Sequence, residues 1–400
     1  MRARKWTRTC MAAAVAAAAL LAGCGGSDGG NDGPSYARLV SFGDSLSDVG
    51  TYRTAGMRAV FDGGQFTVND YSATRPAAGT NWTEQLAREL ALPAPCAART
   101  GLNPPPGSPY LALAEATQDH AGCFNYAQGG ARVTDPYGPG NAARLPDDQR
   151  GLLGASTDPL TVQIARHLAL AGGRFGNGEL VTVMAGGNDA LVQVEPLVGA
   201  LLTGADADTI TALATQAIQN MALAGAQLAA LVQSQLLARG AQRVALVLLP
   251  DIGVTPSVVS LSVEQRAVIS QFSQAFNAPL QQAFANEPRV LVVDAFTASR
   301  QQAQSPALYG LVNTTQPACL LSSQRFNSLF CNKATVVAPD VSRWWFADTV
   351  HLTPYGYQLL ARVVTDAMTR AGWLGAYGAR PCNGLFSSDC TLAPLPQPAS

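Results

Sequence analysis

Four short stretches, 38–42, 180–185, 243–250 and 289–296, are nearly unbroken runs of Val, Leu and other apolar residues. Strands with one wet face alternate apolar and polar positions, whereas continuous runs of this length fit strands buried on both faces of a parallel sheet. Between the runs the period changes to that of helices. Residues 209–239 are rich in Ala, Leu and Gln and stop at Gly240, just before the third run. Ser262-Val263-Glu264-Gln265 reads as a capping box that opens a helix with Ile269, Phe272 and Phe276 on one face. Thr353-Pro354 supplies a cap and a proline at the first helical position. Leu360, Val363, Val364 and Ala367 then give the i, i+3, i+4, i+7 stripe of a helix lying on a sheet. Strands alternating with helices predict an α/β fold, a three-layer α/β/α sandwich around a central, mostly parallel sheet. The stretch 93–158 breaks this rhythm. Rich in Pro, Gly and Asp and carrying two cysteines, it reads as loops over the sheet edge, where substrate contacts are expected.

The ends of the chain are patterned differently. A basic start (Arg2, Arg4, Lys5, Arg8) leads into the apolar run MAAAVAAAALLAG and then Cys24. That run is too short and too alanine-rich for a comfortable membrane span and has the layout of a secretory signal. Leu21-Ala22-Gly23-Cys24 resembles a bacterial lipobox, in which the cysteine is lipid-modified and becomes the new N-terminus. The alternative is an ordinary signal peptide cleaved elsewhere, which would leave a secreted protein. The chain thus divides into a signal (1–23), a flexible Gly/Ser/Asp tether (24–36), a globular domain (37–375) and a tail (376–400). The expected location is the cell envelope, with the lipid as the sole membrane attachment and Gly25 after Cys24 favouring an outer membrane. No segment beyond the leader is expected to span.

Composition narrows the partners. Loss of the leader removes those four cations and no acid, taking the net charge from −1 to −5. No basic cluster survives, so a nucleic-acid partner is not expected. The only lysines, Lys5 and Lys333, lie outside any G-x-x-x-x-G-K context, which excludes a P-loop of the usual form. Of eight cysteines, Cys10 leaves with the signal and Cys24 is the lipid candidate. The other six, Cys96, Cys123, Cys319, Cys331, Cys382 and Cys390, fall into three sequence-local pairs, as loop-stapling disulfides of an exported protein would; local pairing is the expectation among the fifteen pairings that six cysteines allow. With no C-x-x-C, a metal site is not expected.

Chemistry is sought where open parallel sheets bind ligands, at the carboxyl ends of their strands. Gly43-Asp44-Ser45-Leu46 follows the first run, Gly186-Gly187-Asn188-Asp189 the second, Asp251-Ile252-Gly253 the third. The long loop after the fourth closes with Asp348-Thr349-Val350-His351 before the last helix. Of the serines in SFGDSLSDVG (41–50), Ser41 lies within the strand and Ser47 past the turn, whereas Ser45 follows Gly43 at the strand's end. A serine hydroxyl needs a base. Of three histidines, His120 sits in a cysteine-bearing loop and His167 in a helical pattern that suggests a surface position. His351 has a carboxylate, Asp348, three residues earlier to orient its ring. Asn188 offers a side-chain donor for a developing oxyanion, and Gly129-Gly130 a backbone N–H free of side-chain obstruction. The single G-x-S-x-G match, Gly25-Gly26-Ser27-Asp28-Gly29, lies in the tether with no strand before it, so it is read as chance.

Taken in order, Gly-Asp-Ser-Leu, Asn-Tyr-Ala-x-Gly-Gly-Ala (125–131), Gly-Gly-Asn-Asp and Asp-x-x-His resemble the four blocks of the GDSL, or SGNH, hydrolases. Leu249-Pro250-Asp251-Ile252-Gly253 with Pro256, and Phe276-Asn277 with Leu280, agree. The resemblance runs from Val40 to about Trp373 and, through Asp48 and Gly50, is closer to the lipase/esterase branch than to the small thioesterases. It implies a flavodoxin-like sandwich and ester hydrolysis without metal or cofactor, through an acyl-serine. Carried over by position, Ser45 is the nucleophile, His351 the base and Asp348 its orienting partner. The oxyanion hole is the Ser45 N–H, the Asn188 side chain and a glycine N–H, with Gly130 favoured over Gly129. The partner implied is an ester, a small molecule or a lipid. A tethered phospholipase or acyltransferase, a carbohydrate acetylesterase, a polyester-degrading enzyme and a surface-binding lipoprotein on an inactive scaffold are the alternatives. The cysteine-bearing loops depart from the common pattern and bear on substrate preference.

Overall fold

The apolar runs form one parallel sheet in a computed structural model that describes residues 35–69, 81–145, 151–155, 157–320 and 328–374. Its strands are β1 (Arg38–Gly43), β2 (Glu179–Met184), β3 (Val244–Val247) and β4 (Val290–Val293), paired in that spatial order. The last two are shorter than their apolar runs, because the flanking residues turn away at the rim. On the outer edge of β1, a single parallel bridge joins Ser41 to Asn125. Counting that segment as a rudimentary strand gives the flavodoxin-like order 2-1-3-4-5, with the switch point beside β1.

Among the described residues the α-helices are α1 (Ala55–Phe61), α2 (Trp82–Glu89), α3 (Leu160–Leu170), α4 (Gly187–Thr203), α5 (Ala207–Leu231), α6 (Val263–Phe284), α7 (Ala295–Gln304) and α8 (Pro354–Arg370). Successive strand residues point to opposite faces. Val40, Phe42, Val181, Val183, Val244 and Leu246 pack with α3, α4, α5 and α6. Leu39, Leu180, Met184, Val247 and Val293 pack with α2, α7 and α8. Both faces are dry, which is why the runs are continuous rather than alternating.

Local signals hold where expected. Ser262 Oγ accepts the Gln265 N–H at 3.2 Å while Gln265 Oε1 accepts the Ser262 N–H at 3.0 Å, closing the capping box of α6. Thr353 caps α8 with Pro354 at its first position. Cys96–Cys123 and Cys319–Cys331 are disulfides. Cys24, the leader, the tail and the Cys382/Cys390 pair lie outside the described residues.

Three expectations are corrected. The stretch 93–158 is not all loop: Arg99–Leu102 and Glu115–Asp119 pair as an antiparallel ribbon. The continuous helical stretch Ala207–Arg239 is, by length and a mean hydropathy of 1.3, long enough to cross a membrane, although none was expected. Its apolarity serves a face buried here among core residues, including Ala217, Met221, Ala224 and Leu228. His167 is not at the surface but wholly buried among Phe42, Phe124, Tyr126 and Phe175.

Candidate active site

The strand ends fix where the reactive groups stand. Gly43, Met184 and Val247 align across β1, β2 and β3, so their following residues share one rim. A side chain at Gly43 would sit 2.3 Å from the Met184 carbonyl oxygen, so only glycine lets β1 end this close to β2. The chain then turns sharply: Ser47 N–H donates to the Asp44 carbonyl at 3.0 Å and Leu46 N–H to Asp44 Oδ1 at 3.1 Å. Ser45 sits on this turn. The neighbouring serines are committed elsewhere, Ser41 Oγ accepting from Thr182 and Ser47 Oγ from the Trp82 indole.

Ser45 Oγ lies 2.8 Å from His351 Nε2, and His351 Nδ1 lies 2.6 Å from Asp348 Oδ2, although 306 residues separate serine and histidine. Burial pushes the Asp348 carboxyl up. The His351 charge and hydrogen bonds from the His351 ring and the N–H groups of His351 and Val350 outweigh that and hold it well below the usual range. Asp348 is therefore a carboxylate that can only accept, so Nδ1 carries the ring proton and Nε2 turns its lone pair toward Ser45. The Ser328 N–H adds a bond of 2.7 Å to Asp348 Oδ2. The Phe66 ring lies against the imidazole, centroids 4.7 Å apart, leaving it little room to rotate.

Across the cleft, Asn188 is the second residue of α4, where the helix dipole favours negative charge. One of its two side-chain N–H bonds goes to the Ala131 carbonyl at 2.8 Å, which leaves the other available. Gly129 N–H is occupied by Asp48 Oδ2 at 2.9 Å, whereas the N–H groups of Gly130 and Ser45 have no protein acceptor among the described residues. Tyr52 donates to the Gly129 carbonyl at 2.6 Å. Because a peptide is planar, gripping that oxygen also sets the direction of the Gly130 N–H on its opposite side.

A family model for GDSL-like lipases and acylhydrolases matches residues 39–364, spanning all four blocks. The chain belongs to the GDSL-like lipase/acylhydrolase family. The anther-specific proline-rich protein APG of Arabidopsis thaliana is 25% identical over 195 residues, 46% of this chain and 34% of its own, so the match spans about a third of that relative. An extracellular lipase from Streptomyces rimosus is similar at 14% identity and a TM-score of 0.40, over 83% of this chain and 99% of its own. A catalytic mutant of an acetylxylan esterase from Geobacillus stearothermophilus is similar at 15% identity and a TM-score of 0.36, over 86% and 98%.

In this member of the GDSL-like family, further groups hold the site together. Asp48 accepts from Gly50, Thr51 and Gly129 N–H groups, tying the serine turn to the glycine segment. Burial raises its carboxyl above the usual range, against the pull of those bonds. Asp44 bonds the N–H groups of Leu46 and Gly187, linking the serine turn to the start of α4; burial lifts it to about 6. Arg132 and the Val133 N–H bind Asp189, each at 3.1 Å, fixing the segment after Gly130 against Asn188. The reciprocal amide clamp of Asn277 on Leu249, at 2.8 and 2.9 Å, explains the Phe276-Asn277 echo. Asp48 and Gly-Gly are visible as motif letters. Tyr52 carries no local signal, because its partner lies 77 residues away.

Proposed function

We propose that the chain hydrolyses carboxylic esters by two-step acyl transfer through Ser45, His351 and Asp348. The observation that carries this reading is the unbroken hydrogen-bonded line from Asp348 through His351 to Ser45 Oγ. Ser45 Oγ attacks the carbonyl carbon while its proton passes to His351 Nε2. The electron pair displaced onto the carbonyl oxygen is received by the Ser45 and Gly130 N–H groups and the free Asn188 N–H. Donors of this kind contribute about a hundred- to a thousandfold each in other hydrolases. As the C–O bond to the alcohol breaks, the departing oxygen takes the proton from Nε2, leaving acyl-Ser45. Water then gives a proton to Nε2, its oxygen bonds to the acyl carbon, and Ser45 Oγ departs and recovers the proton as the acid is released.

Two cavities with mainly apolar walls adjoin Ser45, which favours the esterase/lipase reading over a carbohydrate acetylesterase. Ser45→Ala should lower turnover of p-nitrophenyl esters by about a thousandfold or more while the protein stays folded. Full turnover in a folded Ser45→Ala protein would overturn the assignment.

A further inference from the structure

Two cavities meet at the reactive serine, and they differ in kind. Ser45, Asn188, Leu191, Val350 and His351 border both. An ester whose carbonyl lies over Ser45 therefore has one arm on each side. The first cavity is an open cleft of about 470 Å³, with Gly130, Glu195 and Ser257 among its walls. The second is a smaller channel of about 90 Å³ between α7 and α8, walled by Leu249, Ala295, Ala298, Leu360 and Val363. The polar side chains along its upper wall are already engaged. Ser299 Oγ bonds the Asp251 N–H and the Phe296 carbonyl, Thr255 Oγ1 the Ile252 carbonyl, and Asp251 Oδ1 the Gly253 N–H. A chain entering here meets hydrocarbon.

We propose that this channel is the acyl-binding site and takes a medium-chain fatty acyl group, with the alcohol in the open cleft; the proposal rests on Ser45 being the nucleophile. The order of events decides which arm goes where. The acyl group stays bonded to Ser45 after the alcohol has gone, so it suits the confined side. The alcohol must leave and water must enter, which the wide side permits. Burying methylenes among apolar side chains favours the same placement.

The helices that line the channel give its length, and a volume of about 90 Å³ is well above the roughly 10–15 Å³ that one water-sized group needs. From Ala295 to Gln302 on α7, and from Gly356 to Val363 on α8, the lining descends seven residues, or about 10 Å of helix. An extended chain advances about 1.3 Å per C–C bond of ~1.5 Å, which corresponds to about eight carbons. Gln302 stands at that depth on α7, where a polar group meets the chain end.

The test is a series of p-nitrophenyl esters from acetate to palmitate on wild type, Ala298→Phe and Leu360→Ala, with melting temperatures measured alongside. For wild type, kcat/KM should peak between hexanoate and nonanoate and fall at least tenfold by palmitate. Ala298→Phe should lower the octanoate-to-acetate ratio of kcat/KM at least tenfold. Leu360→Ala, which widens the channel and does not depend on accommodating a new ring, should move the optimum up by two or more carbons. Ratios and optima that stay within twofold of wild type in folded variants would overturn the channel assignment. Fluorophosphonate labelling of the same preparations separates the two claims. An adduct on Ser45 with an unchanged chain-length profile sinks the channel alone, and a folded protein without that adduct sinks the reading of Ser45 as well.

Discussion

His351 and His167 show how surroundings give one residue type two roles. His351 stands between a carboxylate that receives its Nδ1–H and a serine that faces its Nε2. His167 has a 3.3 Å contact from Nδ1 to the Tyr126 hydroxyl, while its Nε2 has no hydrogen-bond partner among the described residues and lies 3.8 Å from Glu179. Burial, with help from the charge of Arg38, lowers its pKa to about 4. An unfolded histidine takes up a proton near pH 6.5, so between there and about 4 the unfolded chain binds more protons than the folded one. Acidification through that window must therefore remove stability, on the order of 3 kcal/mol in full. His167→Phe should flatten that part of the melting temperature against pH curve, and an unchanged slope would show that His167 is not its source. The sequence made His351 legible because Asp-x-x-His carries its own partner. It misplaced His167 because the rings that enclose it come from β1 and from the segments at 124–126 and 175.

At the scale of elements, the loop between α7 and α8 contributes more than Asp348 and His351 of the hydrogen-bonded line to Ser45. It is pinned by Cys319–Cys331, and the Ser328 N–H beside that bond reaches Asp348. Asn69 grips the Ser328 and Cys331 carbonyls from the opposite side, at 3.2 and 2.9 Å. Replacing both cysteines with serine should cost about 2–4 kcal/mol, as for other loops of this size. It should also lower kcat more than it raises KM, because Asp348 loses a fixed donor. Thermal melts and steady-state kinetics measure both, and an unaltered kcat would show that Asn69 alone holds the segment. The four strands of the parallel sheet, the caps of α6 and α8 and the two sequence-local disulfides were legible, since each depends on residues close in sequence or on a simple period; the antiparallel ribbon was not. The Asp48–Gly129–Tyr52 clamp was not, because it joins groups brought together only when the glycine segment docks on β1. The burial of one face of α5 was equally hidden, since a core helix and a membrane span share length and apolarity.

Across the whole molecule, the parallel sheet makes the site possible. All its strands end at one rim, so the segments after β1, β2 and β4 converge although they span most of the chain. For the same reason Ser45, Asn188 and the Asp348/His351 pair were legible in sequence, each in a segment that leads away from the end of an apolar run. The cavities escaped such a reading, because the channel between α7 and α8 depends on which small side chains face each other. The reaction proposed at the rim makes one direct demand: Ser45, and no other residue, must be the nucleophile. Intact-mass measurement and peptide mapping after exposure to a fluorophosphonate answer it. A single adduct on Ser45 is expected, absent in Ser45→Ala and greatly slowed in His351→Ala. A folded wild-type protein that stays unlabelled, or an adduct on a different residue, would contradict it.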